Sequence, residues 1–426
     1  MNSRRNTQEQ FSKGQAAPVS QNLNVFLIAD VSIANMIGGA ERVLYEESTR
    51  LAKREHTVKV LTRKLPYHSL EMEDVNGVEE HRYNFQEKLF PFFFKSIMSD
   101  CRRTFRSLEE SFSFDIINFH QPFSAIGVLS LTGRRRVPYV YTCHSLSFEE
   151  YVSRTSSPGN PIKWIHHRLQ VSARKSIEQR VLKKSDSIVT LSEYTREKLE
   201  REYGLNPSKV NVIPGGVDLE RFRPATDKAQ IRAHLNLPED RFILFTVRNL
   251  VPRMGLENLI SAFKIVQHGQ KDIFLVVGGE GPLDTPLREQ ARRCGVSDSV
   301  RFAGYIPDQD LSSYYQMADL FILPTTELEG FGLVTVEALA SGLPVLGTPV
   351  GGTREILTRL GTDYLFEDSS PQSMARGILK ALNGWAANQA AYKNISETCR
   401  KVAEDHYSWN NHVSKLEDLF YSMLGN

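Results

Sequence analysis

The chain has 426 residues, 52 of them Lys or Arg against 50 Asp or Glu. That length is too great for one ordinary core and predicts two domains of roughly 200 residues each. A formal net charge of +2 excludes a nucleic-acid binder that works through a large basic field. No apolar run approaches the roughly 18 residues of a membrane-spanning helix. Cys101, Cys143, Cys294 and Cys399 have no paired spacing and read as reduced thiols of a cytoplasmic protein, neither a disulfide frame nor a zinc site.

Residues 1–22 are polar, lack the apolar segment of a signal peptide, and read as a disordered tail. From Asn24 the pattern becomes regular. "VFLIAD" (25–30) reads as a strand, "IGGAERVLYEESTRLAKREH" as a helix and "TVKVLT" (57–62) as the next strand. The rhythm continues through "FDIINFH" (114–120), "PYVYTCH" (138–144) and "SDSIVTLS" (185–192). Strands of continuous Val and Ile character between helices predict a parallel sheet covered on both faces. Periodicity breaks at "VIPGGVDLERFRPATDK" (212–228) and restarts with "RFILFTV", "IFLVVGG", "VRFAGY", "LFILPT" and "PVLGTPV", each separated by helical segments. The expected fold is therefore α/β, with two doubly wound Rossmann-like units facing a cleft into which the carboxyl ends of both sheets open. The expected boundaries are 23–222, 223–404 and a final amphipathic helix over 405–426 that packs back on the first domain.

"TELEGFGLVTVEALASGLPV" (326–345) carries the densest chemistry. A loop at the carboxyl end of the strand "LFILPT" leads into a helix starting near Gly332 or Leu333. Glu329 lies ahead of that helix and Glu337 about one turn inside it. Free N–H groups and the dipole at the helix start make an anion site that needs no lysine. Gly330 and Gly332 let backbone approach a ligand closely. A diphosphate held there has one glutamate on each side, and carboxylates accept paired sugar hydroxyls well. Gly351 and Gly352 place a further turn at the same sheet end.

Glu329 and Glu337 match the E-x7-E signature of retaining glycosyltransferases of family 4, whose fold is GT-B. The chain resembles that family from Asn24 to about Leu424, through "GGAERV", "VIPGGVDLERF", "LVPRMGLENLI", "GEGPL", "ADLFILPT" and "GTPVGGTREIL". The resemblance implies that Glu337 binds the ribose of a nucleotide-sugar donor and that Glu329 sits at the sugar. It puts the turn Gly330, Phe331 and Gly332 at the donor, with the N–H groups of Gly332, Leu333 and Val334 facing the diphosphate. Gly38 and Gly39 would close on it from the first domain. His144, in "YTCHS", is implied against the sugar. His120, in "NFHQP", stands at another strand end and is expected on the acceptor side. The family also carries an Arg and a Lys about five residues apart after the first strand of the second domain. In "TVRNLVPRMG" these positions hold Asn249 and Met254, so Arg248 and Arg253, one residue earlier in each case, are the expected phosphate cations.

The resemblance implies transfer of a sugar from a nucleoside diphosphate to a hydroxyl acceptor with retention, in polysaccharide, lipopolysaccharide or glycolipid assembly. No cofactor or metal is expected. Asp308 and Asp310, in "PDQDL", have the D-x-D pattern of a metal site but precede a helix and read as caps. "EKLFPFFFKSIM" (87–98), "CRRTFR" (101–106), "GRRRVP" (133–138) and "KWIHHRLQVSARK" (163–175) are aromatic and basic. They suggest peripheral contact with the cytoplasmic membrane face and a lipid-linked acceptor, with no nucleic-acid partner. The alternatives are a non-catalytic nucleotide-sugar-binding or scaffold protein of the same fold, motivated by Asn249 and Met254, and a GT-B epimerase or phosphorylase.

Overall fold

The computed structural model describes residues 22–34, 38–84, 92–130, 137–155, 160–386 and 388–425. The expected tail apart from its last residue, the stretch 87–91 and the arginines at 134–136 lie outside these.

Eight strands form the first sheet: β1 (Asn24–Ile28), β2 (Thr57–Arg63), β3 (Met72–Val75), β4 (Val78–Tyr83), β5 (Ile116–Phe119), β6 (Tyr139–Cys143), β7 (Ser187–Thr190) and β8 (Val210–Val212). Their order is β3-β4-β2-β1-β5-β6-β7-β8. Apolar clusters cover both faces, around Phe26, Phe105 and Phe119 on one and Val25, Leu44 and Val60 on the other. This is why β1 reads as an unbroken apolar run. The sheet is not wholly parallel, however. The pair β3–β4 is antiparallel and turns at Asn76 and Gly77, both at positive φ. An Asn-Gly turn is a hairpin signal, but the flanking segment is too polar to read as strand. Its inward positions are filled by Glu80 and Arg82, an ion pair buried to 0% and 3% exposure. Glu80 also accepts from Thr62 Oγ1 at 2.8 Å, so the buried carboxylate is fully engaged.

The second sheet is parallel throughout, in the order β11-β10-β9-β12-β13, from β9 (Phe242–Val247), β10 (Ile273–Gly278), β11 (Val300–Gly304), β12 (Leu320–Leu323) and β13 (Val345–Gly347). The β9–β10 pair keeps the side-chain alternation in register, with Phe274 opposite Ile243, while the β10–β11 pair shifts register between Val277 and Gly278. The carboxyl ends of both sheets face one another.

The chain crosses between the two sheets' domains twice, at neighbouring points. Val217 N–H donates to Tyr407 O at 2.7 Å, and Val217 forms an isolated parallel bridge with Ser408. Gly216 lies against the Trp409 backbone so closely that no Cβ fits there. Beyond that crossing the helix Trp409–Leu424 runs along the helix Gly39–Lys53 of the first domain. It buries Trp409, Val413, Leu416 and Phe420, a helical stripe. Polar contacts flank the stripe: Arg50 Nη1 donates to Asn410 Oδ1 at 2.8 Å, and His56 Nε2 lies 2.7 Å from Glu417 Oε1.

Candidate active site

Between the sheet ends lies a cavity of about 460 Å³. Its floor is the stretch that follows β12. The four residues of that strand are fully buried, and the loop after it is pinned by Arg253, whose backbone O accepts from Thr326 N–H and whose Nη1 donates to Leu328 O, each at 2.9 Å. Leu328 is held at φ +55, a left-handed conformation that costs a branched side chain about 1–2 kcal/mol. The strain presents Glu329 to the cavity. The helix Leu333–Ala340 then begins at Gly332, at φ +98, where a Cβ would stand 2.5 Å from Thr353 Oγ1. Only glycine fits this turn. The hydroxyls of Thr335 and Thr353 beside it are buried without a partner.

Glu329, Gly330, Phe331, Gly332, Leu333, Val334 and Glu337 all line the cavity. Glu337 accepts from Tyr315 OH at 2.8 Å. Burial raises its pKa, opposed by Arg42, the Tyr315 hydrogen bond and Arg221. The ring of Phe331 also packs on Tyr407, centroid to centroid 5.8 Å, so the floor is packed against the crossing between domains.

Both arginines reach the cavity, as do Asn249 and Met254. Arg248 follows β9 directly. Gly279, at φ +113, leaves room for the Arg248 carbonyl where a Cβ would collide with it. The Arg248 guanidinium donates to the Glu329 carboxylate and rests on the sulfur of Met254, with Nη2–Sδ 2.9 Å and Nε–Sδ 3.2 Å. Thr325 Oγ1 donates to the same carboxylate oxygen at 3.2 Å. Burial and then Arg248 lower the pKa of Arg253.

The first domain supplies the facing wall. Gly38 and Gly39 open the helix Gly39–Lys53 and line the cavity; a Cβ on Gly39 would lie 3.6 Å from Leu333 Cδ1 across the cleft. His144 follows β6, and a Cβ on Gly330 would stand 2.5 Å from its carbonyl oxygen. Ser192 Oγ donates to Gly330 O at 2.5 Å, a second contact between the domains. His120 does not line the cavity. It is buried behind His144, with Nδ1 3.1 Å from His144 Nε2.

Asp308 and Asp310 are not helix caps. The helix Leu311–Met317 makes no side-chain cap bond at Asp310. Asp308 instead pairs with Arg42 of the first domain and with Arg221, whose Nη1 is 2.8 Å from its Oδ2. A carboxylate with two guanidinium partners from other segments has no need of the local backbone. Sequence reasoning missed Arg42 as a cavity residue, although it stands inside "GGAERV"; its position on the helix, one turn after Gly39, was the available signal.

Residues 227–401 match the family described as Glycosyl transferases group 1, and residues 37–221 match Glycosyltransferase Family 4. A GDP-mannose-dependent alpha-(1-6)-phosphatidylinositol monomannoside mannosyltransferase of Mycobacterium tuberculosis is 30% identical over 62% of this chain and 68% of its own length. The mannosylfructose-phosphate synthase of Agrobacterium fabrum is 25% identical over 76% of this chain and 72% of its own. Among solved structures, a sucrose-phosphate synthase from Thermosynechococcus elongatus superimposes with a TM-score of 0.80 at 21% identity, over 94% of this chain and 99% of that one. HepE of Anabaena, solved with UDP and glucose, gives 0.73 at 17% identity, over 94% and 100%. These relatives favour a transferase over a non-catalytic binding protein. The two matched segments span both domains and the cavity between them, and the chain belongs to glycosyltransferase family 4, with the GT-B fold.

Proposed function

We propose that this glycosyltransferase moves a sugar from a nucleoside diphosphate to an acceptor hydroxyl with retention at the anomeric carbon. The observation that carries this reading is the placement of Glu329 and Glu337 on either side of the Gly332 turn on the cavity floor, with two arginines above it. Glu337 holds the ribose. The N–H groups of Gly332, Leu333 and Val334 take the diphosphate, which the strictly glycine turn lets approach. Arg248 and Arg253 neutralise the departing phosphate and take the place of the Arg and Lys that Asn249 and Met254 lack. Fixed cations of this kind are worth about 3 kcal/mol of barrier each, so no metal is required. Glu329 and His144 orient the sugar, while Gly38 and Gly39 close over the diphosphate. The departing phosphate oxygen takes the proton of the incoming hydroxyl on the same face, which preserves the anomeric configuration.

The test is turnover with UDP-, GDP- and ADP-sugars in the presence of a chelator, with the anomeric configuration of the product read by NMR. Inversion, or activity lost on chelation, would refute the corresponding part. Binding of a nucleotide without turnover on any acceptor would instead support the non-catalytic reading.

The acceptor is lipid-linked on this reading, and the protein meets the cytoplasmic membrane face. No described helix is long and apolar enough to cross a membrane. The helix Pro161–Lys184 nevertheless exposes Ile162, Ile165 and Leu169, at 77%, 54% and 53%, on one helical face. Lys163 is adjacent, and Arg168 stacks on Trp164 with its guanidinium carbon 5.0 Å from the ring centroid. Apolar and basic groups side by side suit an anionic bilayer surface. Replacing the three apolar residues with Glu abolishes sedimentation with phosphatidylglycerol vesicles if this face is the contact; undiminished sedimentation refutes it.

A further inference from the structure

Behind the cavity wall, three elements of the first domain and the C-terminal helix bury a chain of polar groups. Glu47, on the helix Gly39–Lys53, is fully buried. Its Oε1 lies 3.1 Å from His412 Nε2, and its Oε2 lies 3.3 Å from His120 Nε2. Asn118 Nδ2 donates to the same Oε2 at 3.3 Å, and Asn118 Oδ1 accepts from Thr142 Oγ1 at 3.0 Å. His412 Nδ1 is tied to Pro214 O at 2.8 Å. The chain ends at His144, whose Nε2 meets His120 Nδ1 and whose Nδ1 is buried with no partner.

We infer that Glu47 and His120 are positioning residues, which fix His144 in the tautomer protonated on Nε2 so that its Nδ1 offers a lone pair to a hydroxyl of the transferred sugar. This rests on the transferase reading of the cavity. Asn118 Nδ2 also lies 3.4 Å from His120 Nε2, and the assignment follows when both nitrogens donate to Glu47 Oε2, which is 3.3 Å from each. An ionised carboxylate only accepts, so His120 Nε2 carries the proton facing Glu47. In the neutral ring His120 Nδ1 is then bare and can only accept, so His144 Nε2 donates to it. A doubly protonated His120 would put the proton of His144 on Nδ1 instead, and a neutral His120 is therefore part of what we infer. His144 is left with an unprotonated Nδ1 on a residue that lines the cavity. Outer hydrogen-bond partners fix the tautomer of a working imidazole in this way wherever one ring nitrogen is committed.

The electrostatics agree. Burial raises the Glu47 pKa, but His120 and His412 outweigh it and bring it down to about 2. Burial and then His120 lower His144 to about 3. Glu47 is thus ionised and His144 neutral at physiological pH. Packing alone gives no reason for the arrangement, since apolar side chains fill a core without needing partners. From the carboxylate one arm ends on Pro214 O and the other on His144 Nδ1, a nitrogen without a partner on a residue of the cavity wall.

The test uses the full chain with ring-15N histidine, the His144 signals being assigned by their loss in His144→Asn. The expected wild-type spectrum has a bare Nδ1 and a protonated Nε2. His120→Asn keeps an acceptor at the Nδ1 position and should preserve that tautomer; His120→Leu and the isosteric Glu47→Gln should mix the two. Affinities for UDP against UDP-glucose and GDP against GDP-mannose are measured on the same samples. Glu47→Gln should weaken the bound sugar nucleotide about tenfold, the size of one lost hydrogen bond to a buried group, and leave its parent nucleoside diphosphate unchanged. A proton on His144 Nδ1 in the wild type, an unmixed spectrum in His120→Leu, or equal losses for nucleotide and sugar nucleotide would each overturn the inference. Failure of all four nucleotides to bind the wild type would refute the donor reading instead, and the tautomer would still be decided by the spectra.

Discussion

Arg248 donates to the carboxylate of Glu329 while its guanidinium lies on the sulfur of Met254. In the family's register the cation position holds Asn249, and the resemblance assigns the role to Arg248, one residue nearer the strand. The thioether of Met254 gives Arg248 a soft, uncharged support. Under the proposed function the arginine is shared between the acid at the sugar and the phosphate that leaves.

Arg248→Ala should lower kcat about 100-fold or more, because it removes a fixed cation at the leaving group. It also leaves Glu329 unpaired beside a developing negative charge. Arg253→Ala should be milder in kcat but should destabilise the loop that Arg253 pins through Leu328 O. Single-turnover rates and melting temperatures for the two variants separate these effects. Wild-type rates in both would mean that neither arginine serves the phosphate.

Glu337→Ala should weaken nucleoside diphosphate binding tenfold or more, measured by calorimetry, while Tyr315→Phe should cost about 1 kcal/mol through one lost hydrogen bond to the same carboxylate. Unchanged nucleotide affinity in Glu337→Ala would remove the ribose assignment.

Gly332→Ala places a Cβ 2.5 Å from Thr353 Oγ1 at a φ of +98. We expect about 1–3 kcal/mol lower stability together with a loss of nucleotide affinity. Gly361→Ala, also at positive φ but with open space around it, should lose stability only. Chemical denaturation and nucleotide titration of both proteins provide the comparison.

Glu178 gives a pH signature. It is buried beneath the helix Ser147–Arg154 and accepts from Tyr203 OH at 2.6 Å and Ser147 N–H at 3.2 Å. Burial pushes its pKa from 4.5 up to about 7, against those hydrogen bonds. Between these values the folded protein holds a proton that the unfolded chain has released, so unfolding free energy falls as pH rises through the window. Glu178→Gln lacks this term. The wild-type stability relative to the variant should decline by at most about 3 kcal/mol from pH 4.5 to 7. His144, lowered from 6.5 to about 3, contributes the opposite slope in an overlapping window, but it does so in both proteins and cancels in the difference. A flat difference would show that Glu178 titrates near its ordinary value.

The second domain was almost wholly legible because its signals are local. A fully apolar strand, a glycine that must adopt positive φ and a carboxylate one helical turn later all stand between Leu320 and Glu337. The polar interior of the first domain was not. Glu80 and Arg82 neutralise each other inside the sheet, so their segment carries no apolar alternation from which a strand could be read. Asp308 sits before a helix, and nearby backbone was the obvious partner; its actual partner Arg42 is 266 positions away. His120 was placed on the acceptor side because a histidine at a strand end faces the cleft in a doubly wound fold. The Glu47 carboxylate and His144 instead hold it behind the wall, and no pattern in the chain links positions 47, 120 and 412.

The paired passage of backbone at Val217 and Ser408 has a mechanical implication. Two adjoining, hydrogen-bonded connections act as a door hinge does: they permit opening about one line and resist twisting about any other. Gly216, pressed on Trp409, sets the pin of that hinge, and Phe331 leans on Tyr407 from the cavity side. Any swing that parts the lobes must therefore disturb the cavity floor, so the shape of the floor and the width of the opening are governed by a single joint.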